Sequence, residues 1–211
     1  MRYQGGKSRI AKPIASAIER ERESNNTLVS LFCGSCSIES KLAPNFDRVI
    51  CNDKHKYLIE MFKALQNGYE LPEYISEEQY KYIREHKDED MALTGFVGFG
   101  CSFGGRFFEG YARNKENTNY ALQSKKSVLK DMQTLWNAEF TCLDYRDVII
   151  PKDSVVYADP PYNNTKPINR ESFNTQEFWE YMRKISKDNM VFISELNAPD
   201  DFKCIWERPF T

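Results

Sequence analysis

The chain has 211 residues, is 41% hydrophobic and 28% charged, and carries a formal net charge of −2. That is one domain, or one domain with an insertion, with enough apolar side chain for a full core. The balance is that of an ordinary soluble protein, and no global basic excess announces a nucleic-acid partner.

Charge is unevenly spread. Residues 1–22 hold six basic side chains against two acids, and residues 104–130 do the same, so each stretch is net +4 in an acidic chain. Such an excess is either a solvated face or a surface for an anionic partner. The opening "MRYQGGKSR" has no apolar core after its charges, so no secretory leader is expected. The longest apolar stretch, "MALTGFVGFGC", is too short to cross a bilayer. The six cysteines are therefore expected as free thiols in a reducing cytosol. Cys33 and Cys36 have C-x-x-C spacing, which reads as a redox dithiol, half a zinc site, or coincidence. A zinc site needs a second pair, and the other cysteines are scattered.

In chain order, Ile10, Ile14, Ala17 and Ile18 have helical spacing and predict a helix over about 8–23. "TLVSLF" (27–32) reads as a buried strand that breaks at "CGSCS", with a short helix carrying Ile38 and Leu42 after it. "RVICND" (48–53) is a second strand with an acid at its tip, and Leu58, Met61, Phe62 and Leu65 mark the next helix. This is the start of a doubly wound α/β sheet. Ser76 and Gln79 form a capping box, with Ile75 placed to staple onto Tyr80. "GFVGFGCSFGGRFFEG" (95–110) holds six of the ten glycines, interleaved with Phe96, Phe99, Phe103, Phe107 and Phe108. A helix with Leu129, Met132, Leu135 and Trp136 closes this middle section. Strands return at "FTCL" (140–143), "SVVYAD" (154–159) and "MVFIS" (190–194), the last two separated by a helix over about 175–187. Residues 67–135 thus read as an insertion, and 1–66 with 136–211 as the sheet domain.

A glycine turn between strand and helix suits a nucleotide-like ligand, because small residues admit the ligand to backbone amides. Gly34, Ser35 and Ser37 supply that turn; a tight turn with no ligand is the competing reading. Asp53 follows Gly34 by 19 residues at the tip of the next strand, where an acid commonly binds ribose hydroxyls. "DPPY" (159–162) is more specific. Asp159 ends a strand, where open sheets bind ligands. Pro160 and Pro161 have no amide hydrogen and present carbonyl oxygens, and Tyr162 adds a flat ring. A carboxylate beside a carbonyl suits an amino group with two hydrogens on a planar system that stacks on the ring. The plain alternative is a strand end with a surface acid.

"YQGGK" (3–7), "LFCGSCS" (31–37) and "DPPY" (159–162), in this order, resemble the Dam-like DNA adenine-N6 methyltransferases. The tail "FWEYMRKISKDNMVFISELNAPDDF" (178–202) looks like phage-encoded members. The resemblance spans nearly the whole chain. It implies a Rossmann-like fold with a mainly helical target-recognition insertion containing Arg106. It also implies S-adenosylmethionine (SAM) as methyl donor without a metal, adenine in double-stranded DNA as acceptor, and a cytoplasmic setting in a bacterial cell or phage-infected host. Carried over residue by residue, Tyr3, Gln4, Gly5, Gly6 and Lys7 match the N-terminal SAM motif. Phe32, Gly34 and Ser35 match the glycine loop, Asp53 the ribose acid, and Asp144 with Tyr145 the adenine flank. Asp159, Pro160, Pro161 and Tyr162 match the catalytic motif. Arg106, Arg113, Lys125 and Lys126 can meet DNA phosphates, while the phenylalanines either wedge into a base stack or form the core of the insertion.

Two departures stand out. The family loop reads F-x-G-x-G, and the second glycine is Cys36 here. The chain also stops at "ERPFT", where family members continue with a further strand region, so a truncated form is one expectation. Rival readings are an enzyme acting on another amino group, a non-catalytic SAM- or DNA-binding relative, and a dithiol oxidoreductase using Cys33 and Cys36.

Overall fold

The computed structural model describes residues 1–161 and 173–208. Tyr162 therefore lies outside the described residues. Five short strands form one sheet: β1 (Thr27–Ser30), β2 (Arg48–Asn52), β3 (Glu139–Thr141), β4 (Val155–Ala158) and β5 (Met190–Ile193). The order is β3-β2-β1-β4-β5 and every pairing is parallel. Each strand lies within or beside its predicted segment.

The near-continuous apolar strands follow from burial on both faces. Successive side chains alternate sides. Leu28, Val49, Cys51, Val155 and Tyr157 enter one core, while Val29, Ile50, Val156 and Ala158 enter the other. The first core is closed by α1 (Ala11–Glu21), α3 (Lys56–Gln66), α5 (Met91–Gly100) and α6 (Tyr120–Met132). The second is closed by Phe178, Trp179 and Met182 of α7 (Thr175–Ile185). Among the described residues the remaining α-helices are the one-turn α2 (Glu39–Leu42) and α4 (Glu77–Glu85). No helix among the described residues is long and apolar enough to cross a membrane.

The β2–β3 connection carries α3 to α6 and contains the glycine/phenylalanine segment. The capping box forms in both directions: Gln79 N–H donates to Ser76 Oγ at 3.1 Å and Ser76 N–H to Gln79 Oε1 at 2.8 Å. Ile75 and Tyr80 are both buried in one cluster.

The glycine-rich residues 95–100 lie in α5 and are all buried. A Cβ on Gly95 would stand 2.1 Å from the Tyr57 carbonyl oxygen of α3, and one on Gly98 would stand 2.3 Å from the Phe107 ring. Close packing therefore demands glycine at a helical cost of about 1 kcal/mol each. Phe96, Phe99 and Phe108 are core, and Phe103 is 65% exposed. Along α6, Ala121, Ser124, Val128 and Met132 point inward; of the four expected apolar residues Met132 and Leu135 are buried, Leu129 and Trp136 are exposed, and the helix ends at Met132. Small residues can be buried where a neighbour approaches closely, and α5 does so here, with Ser124 Oγ donating to the Gly100 carbonyl at 2.9 Å.

Candidate active site

The strand order reverses between β1 and β4, which pair directly. Brought together beyond their carboxyl ends are the loop after β1 and Asp159–Pro161 after β4, the place where open α/β sheets bind ligands. A cavity of about 320 Å³ opens there. Tyr3, Gln4, Gly5, Gly6, Lys7, Phe32, Gly34, Ser35, Asp53, Asp144 and Tyr145 line it together with Asp159, Pro160 and Pro161. Five separate stretches of sequence thus converge on one space. Arg106, Arg113, Lys125 and Lys126 are not in its lining.

The loop after β1 turns tightly. Cys33 N–H donates to the Asn52 carbonyl and Cys36 N–H to the Cys33 carbonyl, each at 2.8 Å. Gly34 has φ +49°, and a Cβ there would stand 2.9 Å from the Tyr3 ring, so glycine is required on both counts. The N-terminal segment is held from its other side by the β2–β3 connection. Gln4 N–H donates to the Gly105 carbonyl at 2.9 Å, and the Tyr3 and Phe99 ring centroids are 4.9 Å apart.

Cys36, at the position of the second family glycine, is left-handed at φ +57° and fully buried. A side chain there costs roughly 1–2 kcal/mol of backbone strain. The turn geometry is therefore kept at that cost, with the thiol packed among Cys33 and Cys51. Burial pushes the Cys33 and Cys36 thiols well above their ordinary range. Neither supplies the thiolate that dithiol chemistry needs. Relief of strain and loss of thiol packing, each worth roughly 1–2 kcal/mol, offset one another in Cys36→Gly. Its unfolding free energy in urea is expected to lie within about 1 kcal/mol of the parent's.

Asp53 is buried at the tip of β2. Gly34 N–H donates to one carboxyl oxygen and His55 N–H to the other, both at 2.9 Å. Burial raises its pKa despite these bonds. His55 also lines the cavity. Burial lowers its pKa to about 4, so the ring is neutral at pH 7, and its Nδ1 is buried with no hydrogen-bond partner. Asp144 is gripped by Arg146, whose Nε and Nη2 donate to its two carboxyl oxygens at 2.7 and 3.0 Å. That pairing holds the Asp144 carboxyl below its ordinary range. The rings of Phe32 and Tyr145 lie 5.3 Å apart on the same wall.

Lys7 reaches farther than its motif suggests. Its ammonium is ion-paired with the Asp159 carboxylate, and the two side chains are 10% and 20% exposed. Residues 152 apart in sequence are thereby joined at the mouth of β4. Pro160 is buried beside them and Pro161 is exposed.

The basic surface is partly neutralised locally. Arg106 pairs with Glu109 at 3.4 Å, Arg113 with Glu77 at 3.0 Å and Lys125 with Glu73 at 3.2 Å, while Lys126 is exposed. In the N-terminal stretch, Arg2 lies over the Tyr120 ring and Arg22 over the Phe46 ring. Glu39 and His55 are among the cavity residues that escaped the sequence reading. Glu39, in "SIES", reads as an exposed first-turn acid, and nothing local signals its burial. His55, two residues past Asp53, carried only its proximity as a signal.

The sequence profile of the D12 class N6 adenine-specific DNA methyltransferases matches residues 3–96 and 102–193. The two matched segments contain the whole lining of the cavity described above and all five strands. The chain belongs to this family and is a SAM-dependent, site-specific DNA methyltransferase that modifies the 6-amino group of adenine.

Proposed function

We propose that the cavity between β1 and β4 holds SAM and that Asp159 to Tyr162 receive an adenine flipped out of duplex DNA. The observation that carries this reading is the junction of Asp159 and Pro160 with the glycine-loop cavity across the β1–β4 reversal. The residues fit the donor. Asp53 spends one lone pair per oxygen on backbone N–H groups and keeps others for ribose hydroxyls. His55 Nδ1 is a buried orphan of the sort a ligand satisfies. Tyr3 to Lys7 and Phe32 to Ser35 would hold the methionine part, with Tyr145 and Asp144 at the adenine part.

Bound there, SAM supplies an electrophilic methyl group. The chain's own task is to ready the nitrogen, whose lone pair is conjugated into the adenine ring. Asp159 and the Pro160 carbonyl would each accept one amino hydrogen and favour a tetrahedral nitrogen over a planar one. Such prepositioned acceptors act where charge develops. The nitrogen forms one bond to carbon and loses one proton, which Asp159 is placed to receive. Lys7 would fix the Asp159 carboxylate in orientation. Extrusion of the base costs a few kcal/mol, and stacking on Tyr162 would return about 1–3 kcal/mol.

Residues 67–135 would serve as the target-recognition region, with Arg106, Arg113, Lys125 and Lys126 on phosphates and Phe103 as the one exposed phenylalanine of its segment able to wedge. The ion pairs these cations already make are surface pairs worth about 0–1 kcal/mol, so exchange for phosphate is cheap. The test is methyl transfer from labelled SAM to unmethylated duplex DNA, with nucleoside analysis and a fluorescent adenine analogue at the modified position. N6-methyladenine and rising analogue fluorescence on enzyme binding are expected. Transfer without a fluorescence change would overturn the flipped-base reading.

A further inference from the structure

Glu39 is the one buried carboxyl of this cavity that no role above absorbs. It sits in the first turn of α2, is 2% exposed, and borders the cavity. Its Oε1 accepts from Ser30 Oγ at 2.6 Å, which places the carboxyl beneath the glycine loop against the end of β1.

Among the described residues no charge compensates it. The titratable groups that act on it are the Cys33 thiol from the glycine loop, Asp53 from the end of β2 and Asp159 from the end of β4. The cations that line the cavity are otherwise engaged: Lys7 is on Asp159, Lys54 lies 3.6 Å from Asp144, and Arg146 grips Asp144. Tyr3 and neutral His55 complete the polar wall. Among the described residues no lysine, arginine or histidine forms an ion pair with Glu39. A buried carboxylate with only a hydroxyl and an amide for company carries a large desolvation cost. Burial raises Glu39 to about 7, so in the empty protein it holds a proton about half the time at neutral pH. Among the described residues this corner lacks a cation, and the donor brings two, an α-ammonium and a sulfonium.

We propose that the Glu39 carboxylate is the counter-ion for a cationic group of the bound methyl donor, and that donor binding expels the proton Glu39 otherwise holds. The inference rests on the cavity being the donor's site. It adds a further consequence: if the sulfonium is the partner, Glu39 favours the donor over the product, whose sulfur is neutral.

The sign follows from linkage. Glu39 is an acid raised in the empty fold and ionised in the complex, so affinity rises as pH rises toward 7 and protons leave on binding. Calorimetry of SAM binding at pH 7 in buffers of different ionisation enthalpy is expected to show release of about half a proton, and affinity is expected to rise roughly 15-fold from pH 5.5 to 7. Glu39→Gln keeps an oxygen for Ser30 and removes the charge. It is expected to abolish that release and flatten that part of the pH profile, leaving only what Asp53 contributes. Release with both SAM and its demethylated product identifies the ammonium as the partner; release with SAM alone identifies the sulfonium.

Equal proton release and pH profile in parent and Glu39→Gln would overturn the proposal and leave Glu39 as a tether between α2 and β1. A second readout guards against misfolding. The empty parent should lose stability as pH rises from about 4.5 to 7, because the native carboxyl binds the proton more tightly than the unfolded one, and Glu39→Gln should be less sensitive over that range. Failure of the parent to bind SAM at all is a different result. It would remove the assignment of the cavity, not of Glu39 within it.

Discussion

Asp159→Ala is expected to lower single-turnover methyl transfer by about 10²–10³-fold, the usual effect of deleting one preorganised electrostatic group. SAM affinity in a calorimeter should change by no more than a few fold. Asp159 is at the exit of β4, whereas the residues assigned to the donor lie on the N-terminal segment, the loop after β1, the tip of β2 and the loop after β3, and of these Lys7 pairs with Asp159. The substitution also strands the Lys7 ammonium, which is 10% exposed and paired with Asp159 in the parent. Removing one partner of a buried pair destabilises by as much as about 3–5 kcal/mol, with less expected here because Asp159 is partly exposed. Thermal unfolding should therefore accompany the kinetics. Lys7→Met combined with Asp159→Ala should regain stability without regaining activity, which separates the pair's structural part from its chemical one. Retention of more than about a tenth of the parent rate in a folded Asp159→Ala protein would reject Asp159 as the acceptor of the amino hydrogen.

Gly95→Ala is expected to be among the most damaging single substitutions for stability. Its Cβ would stand 2.1 Å from the carbonyl oxygen of Tyr57 and 2.7 Å from the carbonyl carbon. Both are backbone atoms of α3 and cannot rotate away, so α5 must shift bodily from α3. The expected cost is about 3 kcal/mol, after crediting the roughly 1 kcal/mol by which alanine favours a helix over glycine. For a chain of this size that is a fall in Tm of roughly 6–12 °C. Gly98→Ala meets mainly the Phe107 and Phe108 rings and should cost less, since side chains can turn. The contrast matters for function. α5 joins the proposed recognition region to the helix beside the donor cavity, so displacement of α5 should also weaken SAM binding through Tyr3, which packs on Phe99. A Gly95→Ala protein melting within about 2 °C of the parent would show that this contact relaxes at little cost.

The sequence by itself determined much of this protein. Five strands, the capped helix at Ser76, the glycine turn at Gly34 and the acids at the tips of two strands, Asp53 and Asp159, were legible from it, while Tyr3–Lys7 entered only through the family resemblance. These features are encoded locally, by β-forming runs, a reciprocal cap, a glycine at a turn and an acid at a strand tip. Only tertiary structure decided the rest. Glycines at 95, 98 and 100 weaken a helix read in isolation, and only the proximity of α3, Phe107 and α6 explains why a helix survives there. The inward face of α6 follows Ala121 and Ser124 because α5 leaves room for nothing larger. Nothing in the local sequence around Glu39 records its burial against Ser30. Lys7 meets Asp159 across 152 residues, and no local pattern records such a pair. Burial and charge pairing are set by what the rest of the chain places alongside a residue, so at this site the electrostatics belong to the fold even where the residue types were plain in the sequence.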